Sequence, residues 1–124
     1  MSARILIVDD DVLLCDLVRT ALERAGFTVE SAHSAQAALE RLKTQPADLV
    51  LLDVMMTDIN GFDMLRRMKG DPALASIPVV FLSARIDAVA QQIGLEAGAV
   101  DYLPKPVSQA VLVERVRAVL AGRV

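Results

Sequence analysis

Short aliphatic runs recur along the chain, each closed by a polar residue. Arg4-Ile5-Leu6-Ile7-Val8 ends at Asp9 and Asp10, and Leu49-Val50-Leu51-Leu52 ends at Asp53. Val79-Val80-Phe81-Leu82 ends at Ser83, and Tyr102-Leu103-Pro104 at Lys105. Runs this short read as buried strands of a parallel sheet. Between them the apolar spacing becomes helical. Leu14, Leu17, Val18, Ala21 and Leu22 stripe a helix from about Asp11 to Ala25, stopped by Gly26. Thr28–Ser31 is a short second strand, and Ser34 caps a helix through Lys43 with Ala38, Leu39 and Leu42 inward. Asp48–Leu52 is the third strand, and Asn60 caps the short helix Gly61–Lys69. After a connection over 71–78, Pro78–Leu82 is the fourth strand and 86–97 the fourth helix. Asp101–Leu103 is the fifth strand, and Ser108 caps a last helix ending near Gly122. Five βα repeats with right-handed crossovers predict an α/β fold, a doubly wound five-stranded parallel sheet with helices on both faces.

Composition raises few obstacles to that reading. The 124 residues suit one domain, and 54% of them are apolar. Yet no uninterrupted apolar stretch approaches the ~20 residues of a membrane span. Met1-Ser2-Ala3-Arg4 runs straight into the first strand and leaves no room for a cleaved signal peptide, so a cytoplasmic location is expected. A formal net charge of −3 and 3% aromatics argue against nucleic-acid binding by this domain. Cys15 is the single cysteine, which excludes an intrachain disulfide, and its helical apolar setting reads as a buried, inert thiol. His33, the single histidine, has no second soft ligand to build a metal site with and reads as a loop residue after the second strand.

The polar residues at the strand ends are where an open α/β sheet places its ligand. Mg²⁺ takes oxygen ligands, keeps several waters, and is held by one or two carboxylates plus a substrate phosphate. Asp9, Asp10 and Asp53 meet that demand, and without a cation three converging carboxylates would raise at least one pKa. A carboxylate is also a nucleophile toward phosphorus. Lys105 and Ser83 would then neutralise, and hydrogen-bond to, the phosphoryl oxygens. Plainer roles stand beside these. Asp9, Asp10 and Asp11 suit the N-terminal dipole of the following helix, as is expected of Asp11 in particular. Ser83 could start a turn, and Lys105 could be a solvated loop lysine.

Taken in order and spacing, several segments resemble the receiver domain of the two-component response regulators over essentially residues 1–124. They are Ile5-Leu6-Ile7-Val8-Asp9-Asp10-Asp11, Leu51-Leu52-Asp53-Val54-Met55-Met56, Asn60-Gly61-Phe62, Phe81-Leu82-Ser83-Ala84, the stretch from Gly94 to Gly98-Ala99, and Asp101-Tyr102-Leu103-Pro104-Lys105-Pro106. The resemblance implies a flavodoxin-like fold with strand order 2-1-3-4-5. It implies that Asp53 accepts a phosphoryl group from a phosphohistidine on a histidine kinase or histidine phosphotransfer protein. By the same mapping Asp10, Asp53 and the Met55 carbonyl bind Mg²⁺ (or Mn²⁺) directly, and Asp9 does so through water. Ser83 and Lys105 would hold the phosphoryl oxygens. Tyr102 would be the aromatic switch that turns inward as the Ser83 hydroxyl moves, and the Lys105–Pro106 bond would be cis. The fourth helix, fifth strand and last helix would form the surface for a downstream effector or a homodimer. The outward residues expected there are Val111, Val113 and Arg117, with an exposed turn around Ala90-Gln91-Gln92.

Three positions depart from the family pattern. Thr57 stands where a proline is usual, Asn60 where an aspartate is common, and Val107 where an aromatic is frequent. None removes a chemical group from the site, although Thr57 leaves the loop after Asp53 less restrained. The alternative is a phosphorylation-independent pseudo-receiver, a class that usually lacks an acidic residue or the lysine. A turnover enzyme of the haloacid-dehalogenase type needs an aspartate two residues after its nucleophile, where this chain has Met55. A signalling switch rather than a turnover enzyme is therefore expected.

Overall fold

The computed structural model describes residues 2–122. Strands and helices alternate as β1 (Arg4–Val8), α1 (Val12–Arg24), β2 (Thr28–Ala32), α2 (Ala35–Thr44), β3 (Leu49–Leu52), α3 (Gly61–Lys69), β4 (Val79–Ser83), α4 (Ala88–Glu96), β5 (Asp101–Pro104) and α5 (Gln109–Ala121). The strands pair in parallel in the order β2-β1-β3-β4-β5. This is the flavodoxin-like doubly wound sheet, and its order reverses between β1 and β3.

Both faces of the sheet are buried, which is why the strands read as continuous apolar runs. Leu6, Val8, Val50, Leu52, Val79 and Phe81 face a core closed by α2, α3 and α4 through Leu42, Phe62, Leu65, Met68 and Ala90. Ile5, Ile7, Leu49, Leu51, Val80 and Leu82 face the second core, closed by α1 and α5 through Cys15, Val18, Leu22, Leu112 and Val116. Successive strand residues point to opposite faces, so each strand divides between the two cores. Every helix opens on a side-chain cap: Asp11, Ser34, Asn60, Asp87 and Ser108 accept the amides of Leu14, Ala37, Asp63, Ala90 and Val111. Among the described residues no helix is long and apolar enough to cross a membrane.

Several expectations need correction. Leu17 is 60% exposed rather than inward, whereas Cys15 is buried as expected. With Asp11 as N-cap, Cys15, Val18 and Leu22 share the inner face, and Leu17 lies about 100° round the helix from Val18. The Asp87 cap starts α4 at Ala88 rather than at Ile86, and Ala90 is buried rather than exposed. On α5, Val113 is half-buried against the second core, and the Arg117 guanidinium donates to the Ala25 carbonyl at the end of α1 at 3.3 Å. Those two residues turn toward α1, because a helix rotates its face every few residues. On the β5 side, Val111 stays exposed and Arg115 pairs with Asp101 at 2.6 Å.

Candidate functional site

The pairing of Val8 with Leu52 sets the ends of β1 and β3 side by side. Asp9, Asp10 and Asp53 follow directly, with one carboxylate oxygen of each within 4.8 Å of the others. Asp9 is buried. Its Oδ1 accepts the Asp11 amide at 2.9 Å, and its Oδ2 accepts from Lys105 Nζ at 2.6 Å. Lys105 follows β5, where its own amide donates to the Ser83 carbonyl at 2.9 Å. Its side chain reaches back over the sheet edge to lie 3.4 Å from Asp53 as well. The Lys105–Pro106 peptide bond is cis, as the resemblance implied.

The electrostatics follow from crowding. Burial, and then the Asp9 charge, raise the Asp53 carboxyl above its ordinary value, while Lys105 and the Met55 amide offset part of the rise. Burial works against a charged Lys105. Its hydrogen bond to Asp9 and the charges of Asp53 and Asp9 outweigh that, and its pKa stands raised. Lys105 brings one positive charge against three carboxylates. The site therefore offers hard oxygen donors with negative charge in excess, a donor set that fits Mg²⁺ or Mn²⁺.

The loop from Val54 to Asn60 wraps this site and is fixed at both ends. The Met55 amide donates to the Asp53 carboxylate. At the far end the Gly61 amide donates to the Val54 carbonyl at 2.8 Å. A Cβ at Gly61 would lie 2.2 Å from the Asp53 carbonyl oxygen, so the backbone passes where only glycine fits. Asp58 reaches α2: Oδ1 accepts the Ala35 amide at 3.2 Å and Oδ2 the Gln36 amide at 3.0 Å. Neither role leaves a local signal beyond a glycine after a cap and an aspartate in a loop.

Ser83 ends β4 fully buried, and its Oγ accepts the Arg85 amide at 3.1 Å. Tyr102 is inward in this structure. Its ring packs on Phe81 at 5.5 Å, and its hydroxyl donates to the Arg85 carbonyl. Burial raises the phenol pKa, and a hydrogen bond from Ser83 offsets part of that. Gly94 on α4 makes room for the ring: its ideal Cβ would lie 3.0 Å from the Phe81 ring and 3.3 Å from that of Tyr102. His33 follows β2 as expected, with Nδ1 3.0 Å from the Asp9 carbonyl oxygen and 3.8 Å from Cys15 Sγ. Burial, with Asp9 adding to it, pushes the Cys15 thiol up to about 11, which leaves it inert.

Comparison with known proteins bears on the whole arrangement. The model of the response regulator receiver domain matches residues 5–117. The transcriptional regulatory protein CseB of Streptomyces coelicolor is 41% identical over 119 residues, which are 96% of this chain and 50% of that protein. The transcriptional regulatory protein CpxR of Escherichia coli is 44% identical over 117 residues, 94% of this chain and 49% of that protein. The chain thus spans about half the length of these relatives. Among solved structures, a CheY-like response regulator receiver domain protein from Methanospirillum hungatei superposes with a TM-score of 0.91 at 29% identity, covering 99% of this chain and 97% of that one.

Proposed function

The chain belongs to the response regulator receiver domain family, and on that premise we propose that it acts as a Mg²⁺-dependent phosphorylatable receiver, with residues 1–124 as one such domain. Asp53 is the phosphoacceptor. A carboxylate oxygen of Asp53 attacks the phosphorus of a partner's phosphohistidine, the P–N bond breaks, and its electron pair returns to the imidazole. Asp10, Asp53 and the Met55 carbonyl would hold the cation, with Asp9 acting through water. The cation supplies neutralisation of charge on the phosphoryl oxygens. Lys105 stands ready to take the same charge from the other side, and the Ser83 hydroxyl to hydrogen-bond it.

The observation that carries this reading is the convergence of Asp9, Asp10, Asp53 and Lys105 from three separate strand ends. The partner is a histidine kinase or histidine phosphotransfer protein. The exposed Leu13 and Met55, beside Asp11 and Asp53 in the chain, offer it apolar contact. The output surface is α4–β5–α5, where Val111 is exposed and Arg115 of α5 pairs with Asp101 of β5. A cytoplasmic location goes with this role. Incubation with acetyl phosphate and Mg²⁺ tests the reading by intact-mass spectrometry. The parent chain should gain one phosphoryl group, and Asp53→Asn should gain none, since an amide is a poor nucleophile. Undiminished labelling of the variant would move the acceptor elsewhere, and no labelling of the parent would favour the pseudo-receiver.

A further inference from the structure

Three amides open α2, and they are satisfied from two sources. Ser34, the local cap, takes the Ala37 amide at 3.1 Å. Asp58 takes the amides of Ala35 and Gln36 from more than twenty residues away, one on each carboxylate oxygen. The Gln36 amide is the leading cause that holds the Asp58 carboxyl below its ordinary value, which fits an ionised carboxylate on a helix N-terminus. Asp58 sits near the apex of the loop whose near end puts the Met55 amide on Asp53. The far end of that loop is closed by Gly61 on Val54. Between these anchors Thr57 leaves φ free, and the flanking Met56 and Ile59 are only half-buried.

We propose that Asp58 is a positioning residue for the phosphoacceptor site: by clamping the loop after Asp53 to the N-terminus of α2, it keeps Met55 where it can orient Asp53 and hold the cation. Asp58 touches neither the reacting atoms nor the metal. Its effect runs through population. A cation that binds only the clamped loop has its apparent affinity reduced by the fraction of time the loop is released. The inference rests on the proposed metal-binding role of the site.

Ser34 supplies the control, because its hydroxyl caps the same helix through the Ala37 amide and not through the loop. Asp58→Ala and Ser34→Ala should both speed hydrogen exchange at the start of α2 in metal-free protein, since each frees helix amides. Mg²⁺ titration followed by NMR should then separate them. Asp58→Ala should weaken Mg²⁺ by roughly threefold to tenfold, the span expected for loss of a cap. Ser34→Ala should bind as the parent does. Asp58→Glu, which retains the carboxylate, should recover part of the loss. Equal Mg²⁺ affinity for Asp58→Ala and the parent overturns the clamp. Equal weakening by both alanine variants also overturns it, since helix stability alone would then account for the effect. A parent chain that takes up no Mg²⁺ overturns the metal role itself, and the clamp with it.

Discussion

Replacing Gly94 with alanine sets two effects of known sign against each other. Gly94 lies inside α4, where alanine is preferred over glycine by about 1 kcal/mol. On helix propensity alone, Gly94→Ala would stabilise the protein. The added methyl, however, would lie 3.0 and 3.1 Å from two Phe81 ring carbons and 3.3 Å from Tyr102. Phe81 is fully buried and meets Phe62 edge-on at 5.3 Å, so it has nowhere to go. Overpacking of this kind costs about 1–3 kcal/mol. The packing term therefore wins, and a net loss of about 1 kcal/mol is expected, or about 4 °C in Tm for a domain of this size. Tyr102, on the edge strand β5 and 9% exposed, should yield by turning outward. With one tyrosine and no tryptophan in the chain, intrinsic fluorescence reports on that ring alone. Urea titration should show the loss of stability, and an alkaline titration should show the phenol pKa falling back toward its ordinary value as burial is relieved. A variant about 1 kcal/mol more stable than the parent, with an unchanged tyrosine signal, would refute the reasoning.

Two further substitutions probe the carboxylates. Because Asp53 binds its proton more tightly in the folded chain than in the unfolded one, its ionisation costs stability, a cost absent below the unfolded carboxylate pKa and complete above the raised folded value. Metal-free Asp53→Asn should therefore melt higher than the parent at pH 7, with the difference shrinking as pH falls toward about 4; a constant difference across that range would remove burial and the Asp9 charge as its cause. Asp10→Ala should weaken Mg²⁺ binding, seen by calorimetry, with little change in Tm, as expected of an exposed ligand. Asp11→Ala should do the reverse, losing about 1 kcal/mol with the Leu14 cap while Mg²⁺ binding stays near that of the parent. Greater damage to Mg²⁺ binding from the Asp11 change would mean that the acidic run has been assigned one residue out of step.

Much of this molecule is legible in its sequence because the information is local. Strands buried on both faces must be apolar throughout, so β1, β3 and β4 announce themselves, and their ends mark Asp9, Asp10, Asp53 and Ser83. Three of the five helix caps, Ser34, Asn60 and Ser108, were likewise legible from one polar side chain ahead of an apolar stripe, while Asp11 reads as a dipole partner and proves to be a cap. Asp87, flanked by Ile86 and Ala88, falls inside the helix when the apolar run is started at Ile86. The rest depends on contacts between distant segments. Periodicity shows that a stripe exists but not where its edges fall, so Leu17 reads as inward when it lies outside. It shows α5 to be amphipathic without saying that Val113 and Arg117 turn toward α1. A glycine in a sequence does not say what stands where its side chain would be. At Gly61 it is the backbone of Asp53, and at Gly94 the rings of Phe81 and Tyr102. Asp58 on the amides of α2, and Lys105 reaching from β5 to Asp9, join residues 22 and 96 positions apart in the chain. No local pattern records such pairs, because their geometry exists only once the sheet has brought the strand ends together.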